Sequence, residues 1–310
     1  MEAGVAQSRP LMAIGLRLLA AVALTTLSML VKLTEQQGVH LFEIMFWRQF
    51  FTLLAMVGFA AATVGFAQLR PVRFKQHAYR SAYGITGMAL VYAAVILLPL
   101  AEATTVNFTA PIWATILSMI LMKEKIGRYR WSAVVIGFAG ILIVAQPGSS
   151  PVDPLGLAVG LGGAFMIALT SVQIQDLNKT ESSTSIVFWF CLLTSPLLAL
   201  ALPFVGKAHS TETWLLLGGV GLSGAAGQLL LTNSLRYGAA ATVIVMDYTA
   251  LLWATLYGWQ VFGDLPVANT WIGAPIIILA GTIIVVREGH LARKARRASA
   301  PEEPLAPQTR

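Results

Sequence analysis

The sequence predicts an all-α integral membrane protein in which ten transmembrane helices form two inverted five-helix repeats. Three observations lead to this fold class. The composition is too apolar for a water-soluble domain, the apolar residues fall into ten blocks long enough to cross a bilayer, and residues of the first half recur in the second half.

The composition indicates that the bilayer is the solvent. Of the 310 residues, 56% are hydrophobic and 11% are charged, whereas a soluble domain carries about 25% charged residues. The net charge of +7 does not indicate nucleic-acid binding, because the cations lie in short loops between apolar blocks. The single cysteine, Cys191, lies in an apolar block, and the histidines, His40, His77, His209 and His290, fall in predicted loops. A disulfide framework is therefore excluded, and no metal or other cofactor is expected.

The apolar blocks are predicted to be α-helices. They are roughly twice as long as a membrane barrel strand and lack its alternating period. Backbone groups in lipid must also form their hydrogen bonds within their own segment. The blocks run roughly over residues 11–33, 42–66, 80–99, 102–121, 131–146, 154–175, 184–205, 212–235, 239–262 and 268–286. The polar and charged segment 287–310 predicts a disordered cytoplasmic tail.

Lysine and arginine predict the orientation of the helices. With the amino terminus inside, 17 cations fall in inner loops and in the terminal segments, and Arg80 is counted among the loop cations before the third helix. Only Lys32 and Lys207 fall outside, while Arg17 and Arg48 lie within helices. This bias requires an even number of helices with both termini in the cytoplasm, and a bacterial inner membrane is the expected location.

The two halves of the chain repeat each other in register. The first repeat spans residues 11–147 and the second spans residues 154–286. The matched positions are Phe46-Trp47 with Phe188-Trp189, Trp113-Ala114-Thr115 with Trp253-Ala254-Thr255, Glu124 with Asp264, Trp131 with Trp271, and Ala139-Gly140 with Ala280-Gly281. Because five is an odd number of helices, the second copy enters the bilayer upside down, an arrangement typical of secondary transporters.

Several stretches resemble the EamA domain of the drug/metabolite transporter superfamily. They are residues 98–106 (LPLAEATTV), Pro111-Ile112, Lys123-Glu124-Lys125, residues 43–48 and residues 137–144. The resemblance covers both halves, but Leu251 stands where the first half has Pro111. It implies a carrier of small organic molecules, since the family includes exporters of amino acids and other metabolites. Residues 43–48 also resemble the carriers of S-adenosylmethionine and riboflavin.

Charged residues inside a membrane are costly and are usually functional. Arg48 lies about 9 Å below the outer surface at 1.5 Å per residue, where it either holds an anionic substrate group such as a carboxylate, forms a structural ion pair, or extends to the interface. Asp247 and Arg17 lie at similar depths from the inner side and are candidates to pair. Asp247 is either a protonation site, a partner for a substrate amine, or half of a buried lock with Arg17.

Polar and aromatic residues within the helices are candidates to line a cavity for a small metabolite. They are Trp47, Tyr92, Asn107, Trp113, Gln173, Gln228, Asn233, Tyr248 and Trp253. The alternative for each one is hydrogen bonding between helices or anchoring at the interface. Pro111 is expected to kink the fourth helix and to take part in gating.

The resemblance and these residues together predict a secondary active or facilitative transporter that exports small organic metabolites, such as amino acids, by alternating access. The alternative within transport is uptake of a nutrient such as S-adenosylmethionine or riboflavin. The alternatives of another class are a membrane receptor or an intramembrane enzyme, for which Ser223 in a Gly-Leu-Ser-Gly sequence is a weak signal. The expected partners are a small-molecule substrate and lipid, with no nucleic acid, and a homodimer is compatible with the sequence.

Overall fold

The computed structural model describes residues 10–110, 112–113, 116–117, 128–145, 153–237 and 244–298, and these residues contain helices and no strand. Ten α-helices of eight or more residues lie in this part of the chain. They are α1 (Pro10–Gln36), α2 (Leu41–Phe59), α3 (Phe74–Leu97), α4 (Leu100–Asn107), α5 (Arg128–Ala145), α6 (Pro154–Leu177), α7 (Ser183–Ala199), α8 (Thr211–Tyr237), α9 (Ala250–Tyr257) and α10 (Ala268–Ala298). Each overlaps one predicted apolar block.

Two helix boundaries differ from the prediction. Helix α3 begins at Phe74, six residues before the predicted block, because its polar first turns lower the hydropathy although His77 and Arg80 are buried there. Helix α10 continues to Ala298, so residues 287–298 are helical where disorder is predicted. Arginine and alanine, which favour helices, make up seven of the twelve residues in this segment.

Irregular helical segments adjoin α2 and α9. Helix α2 continues as a π-helix over Ala60–Val64, which ends at Gly65 with a φ of 74°. A 3-10 helix, Ile244–Thr249, precedes α9, and a π-helix, Gly258–Phe262, follows it. Asp247 therefore lies on a 3-10 segment rather than on a regular α-helix. Such segments are frequent at functional positions and leave little periodic signal in a sequence.

Several helices are long and apolar enough to cross a membrane. Among the described residues, five segments meet this criterion: Leu11–Gln36, Leu41–Thr63, Phe74–Leu97, Pro154–Ile174 and Thr211–Ser234. Two shorter apolar segments are Ser183–Ala199 and Ala268–Ala280. Large apolar side chains face outward on these helices, as Leu215 and Leu222 do on α8. This outward apolar surface fits a lipid environment, since a soluble protein rarely exposes large apolar patches.

Several helix contacts of the described residues recur when the two halves are exchanged. Helix α1 packs on α8, and α6 packs on α3 in the same way. Helix α2 packs on α8 and α7 packs on α3, while α4 contacts α6 and α9 contacts α1. The pairs α2–α7, α4–α9 and α5–α10 join equivalent helices of the two halves. The helices at the centre of the bundle are therefore contributed by both halves of the chain.

Candidate functional site

Two arginines are buried between the halves of the chain, on α2 and α3. Arg48 lies seven residues after the start of α2 and Arg80 lies six residues after the start of α3, and each is 3% exposed. Placing Arg80 in an inner loop from the sequence was wrong, because α3 begins six residues before the predicted block. The structure thus adds a second buried cation to the one that the sequence identifies.

Both guanidinium groups lie against the same aromatic ring, that of Phe190 on α7. The Cζ atom of Arg80 is 4.1 Å from the centre of the ring, and that of Arg48 is 5.9 Å from it. An arginine over an aromatic face gains a cation–π attraction of about 0.5–2 kcal/mol. The ring therefore holds the two cations on neighbouring helices at one place in the core.

The hydrogen bonds of the two arginines are incomplete. Nη1 of Arg48 donates to Oε1 of Gln49 and contacts the Met88 sulfur at 3.2 Å. Nε of Arg48 has no hydrogen-bond partner. Nε and Nη1 of Arg80 also have no partner. Within the described part of the chain, neither guanidinium forms a salt bridge. An unpaired buried donor costs about 1–3 kcal/mol, and more when it is charged, so these groups favour an anion.

Glycines make the space that the arginines occupy. A Cβ atom at Gly84 would lie 2.0 Å from Nη1 of Arg80, and one at Gly224 would lie 2.9 Å from Nε of Arg48. Along α3, Arg80, Gly84, Met88 and Tyr92 follow at intervals of four residues, so each is a neighbour of the next on the helix surface. The predicted candidate Tyr92 therefore lies next to Met88, which contacts Arg48, and its hydroxyl is buried without a hydrogen-bond partner.

Arg17 and Asp247 form an ion pair between α1 and the 3-10 segment before α9. The Arg17 guanidinium donates through Nε and Nη2 to the two carboxylate oxygens of Asp247, and Nη1 lies 3.5 Å from the Ser234 hydroxyl. The Arg17 side chain is 7% exposed and that of Asp247 is 36% exposed. The two residues selected from the sequence by their depth are therefore in contact.

Several predicted candidates lie around α4 and away from the arginines. The Trp113 ring contacts Phe138 and Phe165, and its Nε1 is buried without a partner. Tyr248 lies 5.0 Å from the Phe108 ring in an edge-on contact. The side-chain oxygens of Asn107 and Gln173 are also buried without a partner. Pro111, the predicted gating residue, lies outside the described residues.

The remaining candidates have other contacts. Trp47 lies in an aromatic cluster with Trp214, 4.7 Å between ring centres, and donates to Glu43. Asn233 donates to the Leu229 carbonyl of its own helix, and Trp253 lies beside Tyr257. Gln228 is partly buried on α8, and its backbone carbonyl accepts a hydrogen bond from the Thr232 hydroxyl. The Ser223 hydroxyl donates to the Gly219 carbonyl, an ordinary bond within a helix.

One end of the bundle is held closed by contacts between its α2–α3 and α6–α7 connections. The Glu181 carboxylate accepts from the backbone N–H groups of Val72 and Arg73 and lies 3.2 Å from Nε2 of His77. Arg73 also donates to Asp176 at 2.7 Å. These five residues form what we call the inner clasp, after the side of the membrane on which the orientation predicted from the loop charges places them. The prediction that all four histidines fall in loops was wrong for His77, which is buried in α3, and for His290, which lies within α10.

The opposite end carries a second carboxylate–histidine contact. Nε2 of His209, just before α8, lies 2.7 Å from Oε1 of Glu43 on α2, and both side chains are buried. We call this pair the outer clasp. In the inner clasp a glutamate near the start of α7 meets a histidine near the start of α3. In the outer clasp a glutamate near the start of α2 meets a histidine near the start of α8, so each clasp joins the two halves.

A cavity of about 550 Å³ lies at the end of the outer clasp. Its walls come from the α1–α2 connection, the last turn of α3 and residues 204–207. Val39 of this wall and Met88 beside Arg48 belong to one buried apolar cluster. The arginines are thus separated from the cavity by packed side chains in this conformation.

Comparison with known proteins gives a consistent result. The model of the EamA-like transporter family matches residues 11–146 and again residues 154–287. A riboflavin transporter of Vibrio cholerae is 31% identical over 79% of this chain and 86% of its own length. A pseudopaline exporter of Pseudomonas aeruginosa is 27% identical over 85% and 93% of the two chains. An S-adenosylmethionine uptake transporter of Rickettsia bellii is 25% identical over 80% and 85%. A solved crystal structure shares the fold with a TM-score of 0.59 at 17% identity, covering 90% of this chain and 98% of the other.

Proposed function

The chain belongs to the EamA-like transporter family and is a membrane transporter of small molecules, and from that premise we propose that it is a secondary transporter working by alternating access. Two inverted repeats of five helices, residues 11–147 and 154–286, would rock about a site between them. The substrate binds to the arginines of α2 and α3, and binding shifts the balance between inward-open and outward-open states by its differential affinity for them.

The two-repeat arrangement is supported by sequence and packing together. The matched residues keep one offset from Trp113 and Trp253 to Trp131 and Trp271, and the offset changes by a single residue at Ala139-Gly140 and Ala280-Gly281. The helix contacts are also preserved when the halves are exchanged, as α1–α8 and α6–α3 illustrate. Each half contributes a glutamate to one clasp and a histidine to the other. Opposite ends of the bundle would therefore open by equivalent movements.

The observation that carries the proposal is the position of the arginine pair. Arg48 and Arg80 come from the first half, while Phe190 and Gly224, which contact them, come from the second half. A substrate held there would contact both repeats, which is the arrangement that alternating access requires. A movement of one repeat against the other would change the contacts of the bound molecule directly.

For the substrate, we propose small organic metabolites such as amino acids, with net export. A named riboflavin transporter and a named S-adenosylmethionine uptake transporter among the relatives support the alternative of nutrient uptake. A named pseudopaline exporter supports export. The proposed location is a bacterial inner membrane with both termini in the cytoplasm, which the charge bias of the loops supports.

Counterflow in proteoliposomes tests this function. Vesicles preloaded with unlabelled amino acids, riboflavin or S-adenosylmethionine should accumulate the matching external label transiently and saturably. Arg48→Gln should lose the exchange, whereas Arg236→Gln, which removes the same charge at an exposed position, should retain it. In cells, export predicts a lower content of the substrate on overproduction, and uptake predicts a higher one.

The same experiment separates transport from the alternatives of another class. An intramembrane enzyme would convert its substrate in detergent without sealed vesicles. A receptor would bind label without accumulating it inside the vesicles. Either result, with no counterflow for any compound of the panel, would contradict the proposed function.

A further inference from the structure

We infer that Arg48 and Arg80 form one anion-binding site and that the substrate is an organic anion bearing a carboxylate or a phosphate group. The inference rests on the proposed function and names the chemical class of its substrate. It starts from the two buried guanidinium groups, whose Nε atoms and one Nη1 atom have no partner.

The helices around the site offer no acidic partner at the depth of the arginines. Helices α3 and α7 contain no aspartate or glutamate. Glu43 is the acid of α2 and contacts His209, and Glu212 is the acid of α8 and lies in its exposed first turn. Both acids belong to the outer end of the bundle. A structural ion pair, which would be the ordinary reason for a buried arginine, is therefore not available within these four helices.

The inner clasp does not neutralise Arg80 either. Its acids are Glu181 and Asp176, and both already have partners. Glu181 accepts hydrogen bonds from two backbone N–H groups and lies beside His77. Asp176 forms ion pairs with Arg73 and Lys179. The positive charge of the arginine pair therefore remains uncompensated in the described core, and an uncompensated charge inside a membrane is costly.

The geometry favours an anion over a neutral or cationic ligand. Two like charges held against one aromatic ring, that of Phe190, repel each other, and an anion bound by both guanidinium groups removes the repulsion. A guanidinium presents a planar fork of donors that matches carboxylate and phosphate oxygens. Two such forks suit a group with at least two acceptor oxygens. Tyr92, one helical turn after Met88, adds a buried hydroxyl without a partner, which can donate to a further oxygen.

Gln49 and Thr194 position Arg48 rather than bind the anion. The Gln49 carbonyl oxygen accepts from Arg48, and its amide nitrogen donates to the Thr194 hydroxyl. Both residues are buried. Through Gln49, Thr194 of α7 fixes the Arg48 side chain in one conformation. The guanidinium is therefore preorganised and loses little conformational entropy when an anion binds.

Thermal unfolding of the purified full chain in phosphatidylcholine nanodiscs tests the inference without requiring transport. Succinate and inorganic phosphate are the probes, and choline chloride at equal ionic strength is the control. Wild type should be stabilised saturably by the anions. Arg48→Gln and Arg80→Gln should weaken the apparent affinity by about tenfold or more, because each removes charge-assisted hydrogen bonds. Arg236→Gln should bind as wild type does.

Two further variants separate binding from folding. Arg80→Lys keeps the charge and loses the fork, so its affinity should fall less than that of Arg80→Gln. Gly84→Ala keeps both arginines and forces the Arg80 guanidinium away, since a Cβ would lie 2.0 Å from it, and it should weaken anion binding as well. Anion stabilisation that is absent in wild type, or that is equal in wild type and in all four site variants, overturns the inference.

The lipid provides the last discrimination. If arginine-dependent stabilisation appears only with phosphatidylglycerol in the nanodiscs, the site binds a lipid headgroup and the soluble substrate anion is excluded. If counterflow of a neutral compound persists while wild type shows no anion effect, the anion inference fails and the transporter function stands. If no compound gives counterflow but the anions still bind through the arginines, the transporter function fails instead.

Discussion

At the scale of single residues, the charges divide into a paired set and an unpaired set. Arg17 and Asp247 neutralise each other, and so do Arg73 and Asp176. Among the described residues, the guanidinium groups of Arg48 and Arg80 contact an aromatic ring and neutral side chains and form no salt bridge. The paired residues are suited to changing state when a proton or a movement separates them. The unpaired residues are suited to receiving a partner from outside the chain.

Asp247 is the residue for which we predict a role in proton coupling. It is the deepest acid in the sequence, and it remains 36% exposed although it contacts Arg17, so a proton has access to it. Asp247→Asn removes the site of protonation and keeps a side chain of similar size. Transport by this variant should lose its dependence on pH, measured as the initial rate of counterflow across pH 5–8. If the counterflow rate of Asp247→Asn falls by the same factor at every pH, the Arg17–Asp247 pair has a structural role and does not couple protons.

Asp176 provides a control for that measurement. Its hydrogen bond from Arg73, with Lys179 nearby, lowers the pKa of the carboxyl below its ordinary value of 3.8. A carboxyl whose pKa is lowered in the folded state stabilises that state above its ordinary pKa, and the stabilisation is lost as the pH falls through the folded pKa. Asp176 therefore stays ionised from pH 5 to 8. Because the pair is partly exposed, Asp176→Asn should cost less than about 1 kcal/mol in unfolding free energy and leave the pH profile of transport unchanged.

The residue scale also shows why part of the site could not be predicted from the sequence. Arg48 stands inside an apolar block with no other cation near it in the sequence, and that isolation identifies it. Arg80 stands among other cations at the edge of a block, where hydropathy assigns it to a loop. Only the tertiary partners Phe190 and Gly84 show that it is buried. The two clasps could not be predicted for a similar reason, because each joins residues that are more than 100 positions apart in the sequence.

At the scale of helices, close packing depends on particular glycines of α6 and α8. A Cβ atom at Gly227 would lie 2.6 Å from the Leu24 side chain of α1, and one at Gly163 would lie 3.2 Å from the Val91 backbone of α3. These contacts occur in the equivalent pairs α1–α8 and α3–α6. Small residues let membrane helices approach closely, so the glycines are tied to packing rather than to flexibility alone.

A prediction follows for α8. Gly227→Ala should lower the unfolding free energy by about 1–3 kcal/mol, the usual cost of overpacking a filled core, because Leu24 must move. Gly218→Ala on the same helix is the matched control, since nothing lies within 4 Å of its Cβ position. Thermal unfolding in one detergent compares the two. Equal stability of both variants would show that α1 and α8 are not packed as described.

The helix scale was the most predictable from sequence. Every predicted apolar block contains a helix of the structure, because length and hydropathy suffice to identify a helix that lies in lipid. The irregular stretches were not predictable, since 3-10 and π segments such as Ile244–Thr249 and Gly258–Phe262 break the 3.6-residue period. Asp247 lies on one of these segments. Its depth could be judged from the sequence, but the geometry of its ion pair with Arg17 could not.

At the scale of the whole molecule, both clasps are formed at once and the arginines are buried. The described conformation therefore closes the site towards both ends. Alternating access requires that each clasp open in turn. Breaking one clasp should consequently favour the state that is open at that end, because the other clasp still holds the opposite end together.

Cys191 can report this opening without engineered cysteines. It is the only cysteine of the chain, it is fully buried, and its sulfur lies 3.7 Å from Oε1 of Gln49, which contacts Arg48. In the closed conformation a thiol reagent has no path to it. Opening at either end exposes the arginine site and brings Cys191 within reach of water, so the rate of labelling measures how often the site opens.

Glu181→Gln is expected to open the inner end. The variant weakens the bonds to the backbone N–H groups of Val72 and Arg73 and removes the charge beside His77. A membrane-impermeant thiol reagent should then label Cys191 faster from the inner side of oriented vesicles, with little change from the outer side. Glu43→Gln, at the outer clasp, should give the opposite sidedness. The proposed inverted repeats would make the two charges equivalent at opposite ends of the bundle, so the effects of the two variants should mirror each other. Faster labelling from both sides in either variant would indicate general loosening of the bundle and would contradict gating by the clasps.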